Sequence, residues 1–235
     1  MPSLVGVFSV TLRLARPLAI CLLVGVAFLT STRNAAGDAK PPNCHDHAVI
    51  VFDASGSMDS SRQFSRRIDI ARLALEAVLP DIARDRPTGL VTYSGSVNSS
   101  CDDIQLRVPP ALNTSKLILK ELSRLDPSGP TALSAAVNLA AETLQRLATS
   151  GVVVLITDGH ETCGRDVCRL ARQLARSAPG ITVHTIGFRL EGPGTEELLC
   201  LSEQTSGTHT TTRDFSSLRT ALEKTLSCPR LADRS

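Results

Sequence analysis

Between residues 48 and 226 the chain alternates between two hydrophobic rhythms. Short apolar or β-branched runs, Ala48 to Phe52, Leu90 to Tyr93, Val152 to Ile156 and Ile181 to Phe188, have the length and composition of buried strands. Between them apolar residues recur at helical spacing. Phe64, Ile68, Ala71, Leu75 and Val78 form one such face, with Arg66, Arg67, Arg72 and Glu76 off it; Leu133, Val137, Ala140, Leu144 and Leu147 form another. Pro80 marks the end of the first helix or a kink near it. Ile104, Leu106 and Val108 alternate with Gln105 and Arg107, the pattern of a half-exposed edge strand, stopped by Pro109 and Pro110. Further helices are expected around Ser115 to Leu125, Val167 to Ser177 and Glu196 to Gln204. A weak strand, Thr208 to Thr212, then precedes a last helix, Ser216 to Leu226, with Asp214 as its N-cap. Strands alternating with helices predict an α/β fold: a doubly wound, mostly parallel six-stranded sheet with one antiparallel edge strand and helices on both faces.

The first strand raises a chemical question. In HAVIVFDASGSMDSS, residues 47 to 61, an apolar run is followed at once by Asp53, Ser55, Gly56 and Ser57. So many oxygen donors cannot lie inside a strand buried on both faces, so they belong where the chain leaves the sheet and turns. In a doubly wound sheet, ligands bind beyond the carboxyl ends of the strands. Asp53 ends the first strand and Asp158 follows the Val152 strand, which brings two carboxylates to one crevice. Ser55 and Ser57 leave alongside Asp53, and Thr131 stands just before the Leu133 helix. Carboxylate and hydroxyl oxygens without imidazole or thiolate suit a hard divalent cation. Magnesium is favoured because few protein ligands leave room for retained waters; manganese or calcium would meet the same donors.

Two enzymatic chemistries could draw on these residues. A serine hydrolase could draw on Ser55 or Ser57, Asp158 and His160, but no Gly-x-Ser-x-Gly elbow follows the strand and His160 comes only two residues after Asp158. An aspartate-based phosphatase lacks its second acid, because Ser55 takes that place. Taken singly, the serines read as turn residues and Thr131 as a helix cap. Their joint appearance with two aspartates carries the cation site.

Together these segments resemble the von Willebrand factor A-type domain with its metal-ion-dependent adhesion site. Asp53-Ala54-Ser55-Gly56-Ser57, Thr131 in SGPTAL and Asp158 in LITDG match its three elements in order. The resemblance implies that Ser55, Ser57 and Thr131 ligate the ion through hydroxyls, and that Asp53 and Asp158 act directly or through water. It further implies that a partner protein presents an Asp or Glu carboxylate to the ion, so the expected role is binding and not catalysis. A structural envelope protein with an idle metal site is the other non-enzymatic reading. DGHETCGRDVC, with SSCDDIQLRVPP and ELLCLSEQTSG, more narrowly resembles exported bacterial proteins made of a single domain of this type.

Composition places the chain in the cell. Residues 1–36 carry Arg13 and Arg16, the apolar run Leu18 to Leu29 and then Ala35 and Ala36, the pattern of a secretory signal peptide. A linker over 37–43, the domain over 44–228 and a tail over 229–235 complete the expected organisation, with the mature protein secreted or periplasmic and an uncleaved anchor as the alternative. Three of the 25 Lys and Arg and none of the 23 Asp and Glu fall within residues 1–36, which leaves 22 basic against 23 acidic groups and a formal charge of −1. Neither nucleic acid nor an anionic membrane is an implied partner.

Of seven cysteines, Cys21 lies in the signal, and six remain: Cys44, Cys101, Cys163, Cys168, Cys200 and Cys228. An even set in an exported chain suggests disulfides over free thiols, and no pair has zinc-knuckle spacing. The family resemblance implies that the chain ends meet opposite the metal, where Cys44 would join Cys228; for the other four, Cys168 with Cys200 and Cys101 with Cys163 is the expected pairing. The Cys44–Cys228 bond would close nearly the whole domain, for which chain entropy alone gives ~5 kcal/mol. Peptide mapping of the oxidised protein is expected to join Cys44 to Cys228; Cys44 joined to any other cysteine would remove that pairing.

Overall fold

The computed structural model describes residues 46–62, 65–96, 99–147, 150–190 and 192–227. The expected signal peptide, linker and tail, and the Cys44–Cys228 pair, lie outside them. Six strands form one sheet: β1 (His47–Asp53), β2 (Thr88–Tyr93), β3 (Ile104–Ala111), β4 (Gly151–Thr157), β5 (Ile181–Phe188) and β6 (His209–Thr212), in the spatial order β3-β2-β1-β4-β5-β6. All neighbours are parallel except β2 and β3, so the one antiparallel strand lies at the edge. Strand order reverses between β1 and β4, with Phe52 beside Ile156 at their carboxyl ends.

Alternate residues of β1 enter different cores, as pleating requires. Ala48, Ile50 and Phe52 pack toward α1 (Arg67–Asp85), α2 (Ser115–Ser123) and α6 (Phe215–Leu226). Val49 and Val51 face α3 (Leu133–Leu147), α4 (Val167–Ser177) and α5 (Gly194–Gln204). Every residue of β4 is buried, because helices cover both of its faces. Asp214 caps α6 in a reciprocal capping box with Ser217, its carboxylate accepting from the Ser217 N–H at 2.8 Å.

Two local expectations are corrected and one unannounced element is added. Helix α1 runs through Pro80 to Asp85, because Leu79, Ile82 and Ala83 continue its buried stripe while Glu76 and Pro80 face solvent, where water can satisfy the carbonyl that proline cannot. Strand β3 continues past Pro109 and Pro110 to Ala111, since an edge strand owes no N–H to an outer neighbour and the pairing with β2 shifts register there. A short antiparallel ribbon, Ser61–Arg62 with Ser65–Arg66, follows the 3-10 turn Gly56–Asp59, in a segment too polar to announce a strand.

His184 on β5 is held neutral. Its Nδ1 accepts from the Thr208 N–H at 3.1 Å and pairs with Thr208 Oγ1 at 2.9 Å. Burial, and secondarily the Arg86 charge, lower its pKa from 6.5 to about 4. The folded protein thus refuses a proton that the unfolded chain takes up. This contribution to stability is complete above about pH 6.5 and is lost as pH falls toward about 4. H184N keeps an acceptor but cannot titrate, and should flatten the pH dependence of urea unfolding across that window by up to about 3 kcal/mol. Equal slopes for both proteins would assign the titration to other groups.

Candidate metal centre

The candidate residues come from three separate segments. Asp53 is the last residue of β1 and has no exposed surface. Its Oδ1 accepts from the Ser55 N–H at 2.7 Å and its Oδ2 from Thr157 Oγ1 at 2.6 Å. Thr157, at the end of β4, in turn accepts from Tyr93 Oη at 3.2 Å and from the Gly159 N–H at 3.1 Å. The ends of β2, β4 and β1 are therefore joined by one relay, Tyr93 to Thr157 to Asp53. Burial, and then the neighbouring Asp158 carboxylate, push the Asp53 carboxyl above the ordinary carboxylate range, against the hydrogen bonds from Ser55 and Thr157. Burial likewise pushes the Tyr93 phenol up, which keeps it a neutral donor.

Ser55 Oγ lies 3.0 Å from Ser57 Oγ, and Ser57 Oγ donates to Asp158 Oδ1 at 2.5 Å. Thr131 is buried just before α3, with its N–H donated to Thr162 Oγ1 at 2.7 Å and its carbonyl accepting from the Thr162 N–H at 3.0 Å. Gly159 reveals how these hydroxyls converge. A Cβ built on it would lie 3.3 Å from Thr131 Oγ1 and 3.6 Å from Ser57 Oγ, so the absence of a side chain leaves open the space that both oxygens border. Asp53, Ser55, Ser57, Thr131 and Asp158 thus line one crevice at the strand-order reversal. No group of three or more His, Cys, Asp and Glu able to hold a metal occurs among the described residues, so a cation here would depend on hydroxyl donors, which the crevice supplies. That donor set fits a hard divalent ion.

Backbone bonds hold the loops in register: Gly56 N to Gly129 O at 3.0 Å, Ser128 N to Ala54 O at 3.0 Å and Gly95 N to Ser128 O at 3.2 Å. Gly95, at φ 85°, must be glycine, since a Cβ would come within 2.7 Å of the Ala54 Cβ. The disulfide Cys101–Cys163 joins the β2–β3 loop to the loop after β4 at this same end. Cys168–Cys200 joins α4 to α5 instead, with Cys200 inside a helix.

Several residues have roles that their sequence context did not disclose. Arg67, which falls off the apolar face of α1, reaches Asp158 Oδ2 with its Nη1 at 2.6 Å. Arg72 donates to the Leu122 carbonyl at 2.9 Å and to that of Leu125, closing the end of α2. Glu161 is buried and accepts from the Ser134 and Cys163 N–H groups, each at 2.8 Å, which caps the start of α3. Apart from the local bond to Cys163, these bonds span 27 residues or more, so no nearby pattern signals them. His160, the base that a hydrolase reading would use, is exposed, and the hydroxyl of Ser57 donates to Asp158.

Comparison with known proteins identifies the domain type. The von Willebrand factor type A domain family matches residues 48–161. Two Bacillus subtilis (strain 168) proteins of uncharacterised role are similar: YwmD, 27% identical over 182 residues, 74% of this chain and 81% of that protein, and YwmC, 30% identical over 185 residues, 72% of this chain and 78% of that protein. Among solved structures, proximal thread matrix protein 1 of the mussel byssus, with a zinc-occupied MIDAS motif, superimposes with a TM-score of 0.57 at 21% identity. The match covers 78% of this chain and 46% of that one, so this chain spans about half the length of the solved protein.

The hydroxyl of Thr157 serves Asp53, Tyr93 and Gly159 together. T157V should lower the unfolding free energy by about 1–3 kcal/mol because it leaves a buried carboxylate oxygen without a donor, whereas Y93F should cost about 1 kcal/mol. Denaturant titration at neutral pH measures both, and a T157V cost no larger than that of Y93F would contradict the assigned hub.

Proposed function

This chain belongs to the von Willebrand factor type A domain family, and on that premise we propose that it binds a partner protein through a divalent cation held by Asp53, Ser55, Ser57, Thr131 and Asp158. The observation that carries the reading is the convergence of Ser55, Ser57 and Asp158, in contacts of 3.0 and 2.5 Å, beside the space left by Gly159 and bordered by Thr131. When bound, the ion supplies a Lewis-acidic position open to a carboxylate from the partner, Asp or Glu. The chain's own residues do the rest. Thr157 and the Ser55 N–H fix the Asp53 carboxylate, Ser57 orients Asp158, and Gly159 keeps the approach clear.

The role is binding, not turnover. The serine hydroxyls are spent on each other and on Asp158, and His is not among their described partners. Magnesium is the cation we favour, on the small number of protein donors; the zinc-occupied motif of the mussel protein indicates that a related site accepts a softer divalent ion. We place the protein outside the cytosol. The Leu18 to Leu29 run behind two arginines and the bonds Cys101–Cys163 and Cys168–Cys200 support this, since disulfides persist in oxidising compartments. No helix among the described residues is long and apolar enough to cross a membrane.

Isothermal titration of Mg²⁺, Mn²⁺, Ca²⁺ and Zn²⁺ into the oxidised protein tests the site. One-site binding by the wild type should be abolished in D158A and weakened about tenfold or more in G159A, whose methyl group enters the space shared by the hydroxyls. Capture of a partner that survives chelator, or unaltered uptake by D158A, would end the proposal.

A further inference from the structure

Arg67 is the first residue of α1, and it contributes a positive charge to the centre just described. Its Nη1 lies 2.6 Å from Asp158 Oδ2, and the pair is withdrawn from solvent, with side-chain exposures of 15% for Arg67 and 0% for Asp158. The Arg67 Nε is buried without a hydrogen-bond partner, so the guanidinium forgoes a bond to reach this carboxylate. Asp158 is thereby engaged on both oxygens, by Ser57 on Oδ1 and by Arg67 on Oδ2.

The charges around the crevice make this contact consequential. Two carboxylates, Asp53 and Asp158, are buried here, and the Asp158 charge helps to raise the Asp53 carboxyl above its ordinary range. Without a counter-charge, such a pair is expensive to keep out of water. The guanidinium provides one, permanently, because arginine does not deprotonate in proteins. A divalent cation draws on the same Asp158 charge. Arginine and metal therefore bear on one carboxylate with opposite effects on the energy of the empty and the loaded site.

We propose that Arg67 is a tethered counter-ion that competes with the divalent cation for Asp158, stabilising the metal-free fold and lowering metal affinity. The inference rests on the cation-binding reading above and deepens it by naming what sets the affinity. It has a second consequence. With Arg67 present, a divalent ion and two carboxylates sum to a centre of charge +1; without it they sum to zero. The residual charge favours an anionic partner group, in keeping with a carboxylate ligand. Coupling is reciprocal: the free energy by which the arginine favours the empty site over the loaded one is withdrawn from the metal.

Calorimetric titration of Mn²⁺ and thermal melts, each on wild type, R67Q and R67K, test this, with the melts in chelator and in Mn²⁺. R67Q should melt lower than wild type in chelator, bind Mn²⁺ about tenfold more tightly, and gain more melting temperature from it. R67K, which keeps the charge but loses the reach and planarity, should fall between the two. If wild type binds Mn²⁺ and R67Q binds it equally or more weakly, Arg67 merely orients Asp158 and the competition is wrong. If neither protein takes up Mn²⁺, the cation site itself fails and the competition fails with it. Should R67Q fold only with Mn²⁺ present, that rescue is the expected exchange of metal for arginine; should it fold under neither condition, R67K decides by the same criterion.

Discussion

The carboxyl edge of this sheet is organised around one costly choice, a carboxyl group with no exposed surface at the end of β1. Burying Asp53 is tolerable only because donors from neighbouring segments meet both of its oxygens. The donor from β4, Thr157, is itself held by Tyr93 of β2. Three parallel strands must therefore end at one level for the aspartate to be accommodated. The pairing of Asp53 with Tyr93 and of Phe52 with Ile156 sets that level.

Around this anchor the molecule separates scaffold from site by depth. Below it, β1 and β4 supply apolar side chains to both faces, and six helices close over them. Above it, turns replace strands, and the hydroxyls of Ser55, Ser57 and Thr131 gather around the two carboxylates. The loops carrying Ser55, Ser57, Ser128 and Gly129 are tied by backbone bonds, and the Cys101–Cys163 disulfide ties the loop after β4 to its neighbour. Rigid loops matter for a cation site, because hydroxyl donors are weak individually and gain only by being already in place.

Electrostatically the centre balances two buried acids against one half-buried arginine. Arg67 gives Asp158 a partner where solvent cannot, much as Arg72 gives the carbonyls at the end of α2 theirs. Both arginines begin on what a helical wheel draws as the solvent face of α1. Long, flexible stems carry Arg67 to Asp158 beyond the end of β4 and Arg72 to the end of α2. A polar position on a helix is thus not evidence of a solvated one when the helix starts beside a site.

Pattern along the chain determined the six strands, the helices between them, the edge position of Ile104 to Val108 and the Asp214 cap, because each follows from periodicity or a cap within a few residues. Asp53, Ser55 and Ser57 were legible for the same reason: oxygen donors directly after an apolar run must stand at a strand end. Pro80 and the Pro109–Pro110 pair misled as stop signals, since burial of later residues and an edge position outweighed the local cost of proline. Only the tertiary structure decided that Arg67 faces Asp158 across 91 residues, that Thr157 serves Asp53 across 104, and that Glu161 caps α3 from 27 residues away. These are pairings between side chains whose own neighbourhoods in sequence are ordinary. Their partners are fixed by strand order and register, which place segments together by packing and leave no periodic trace in the chain.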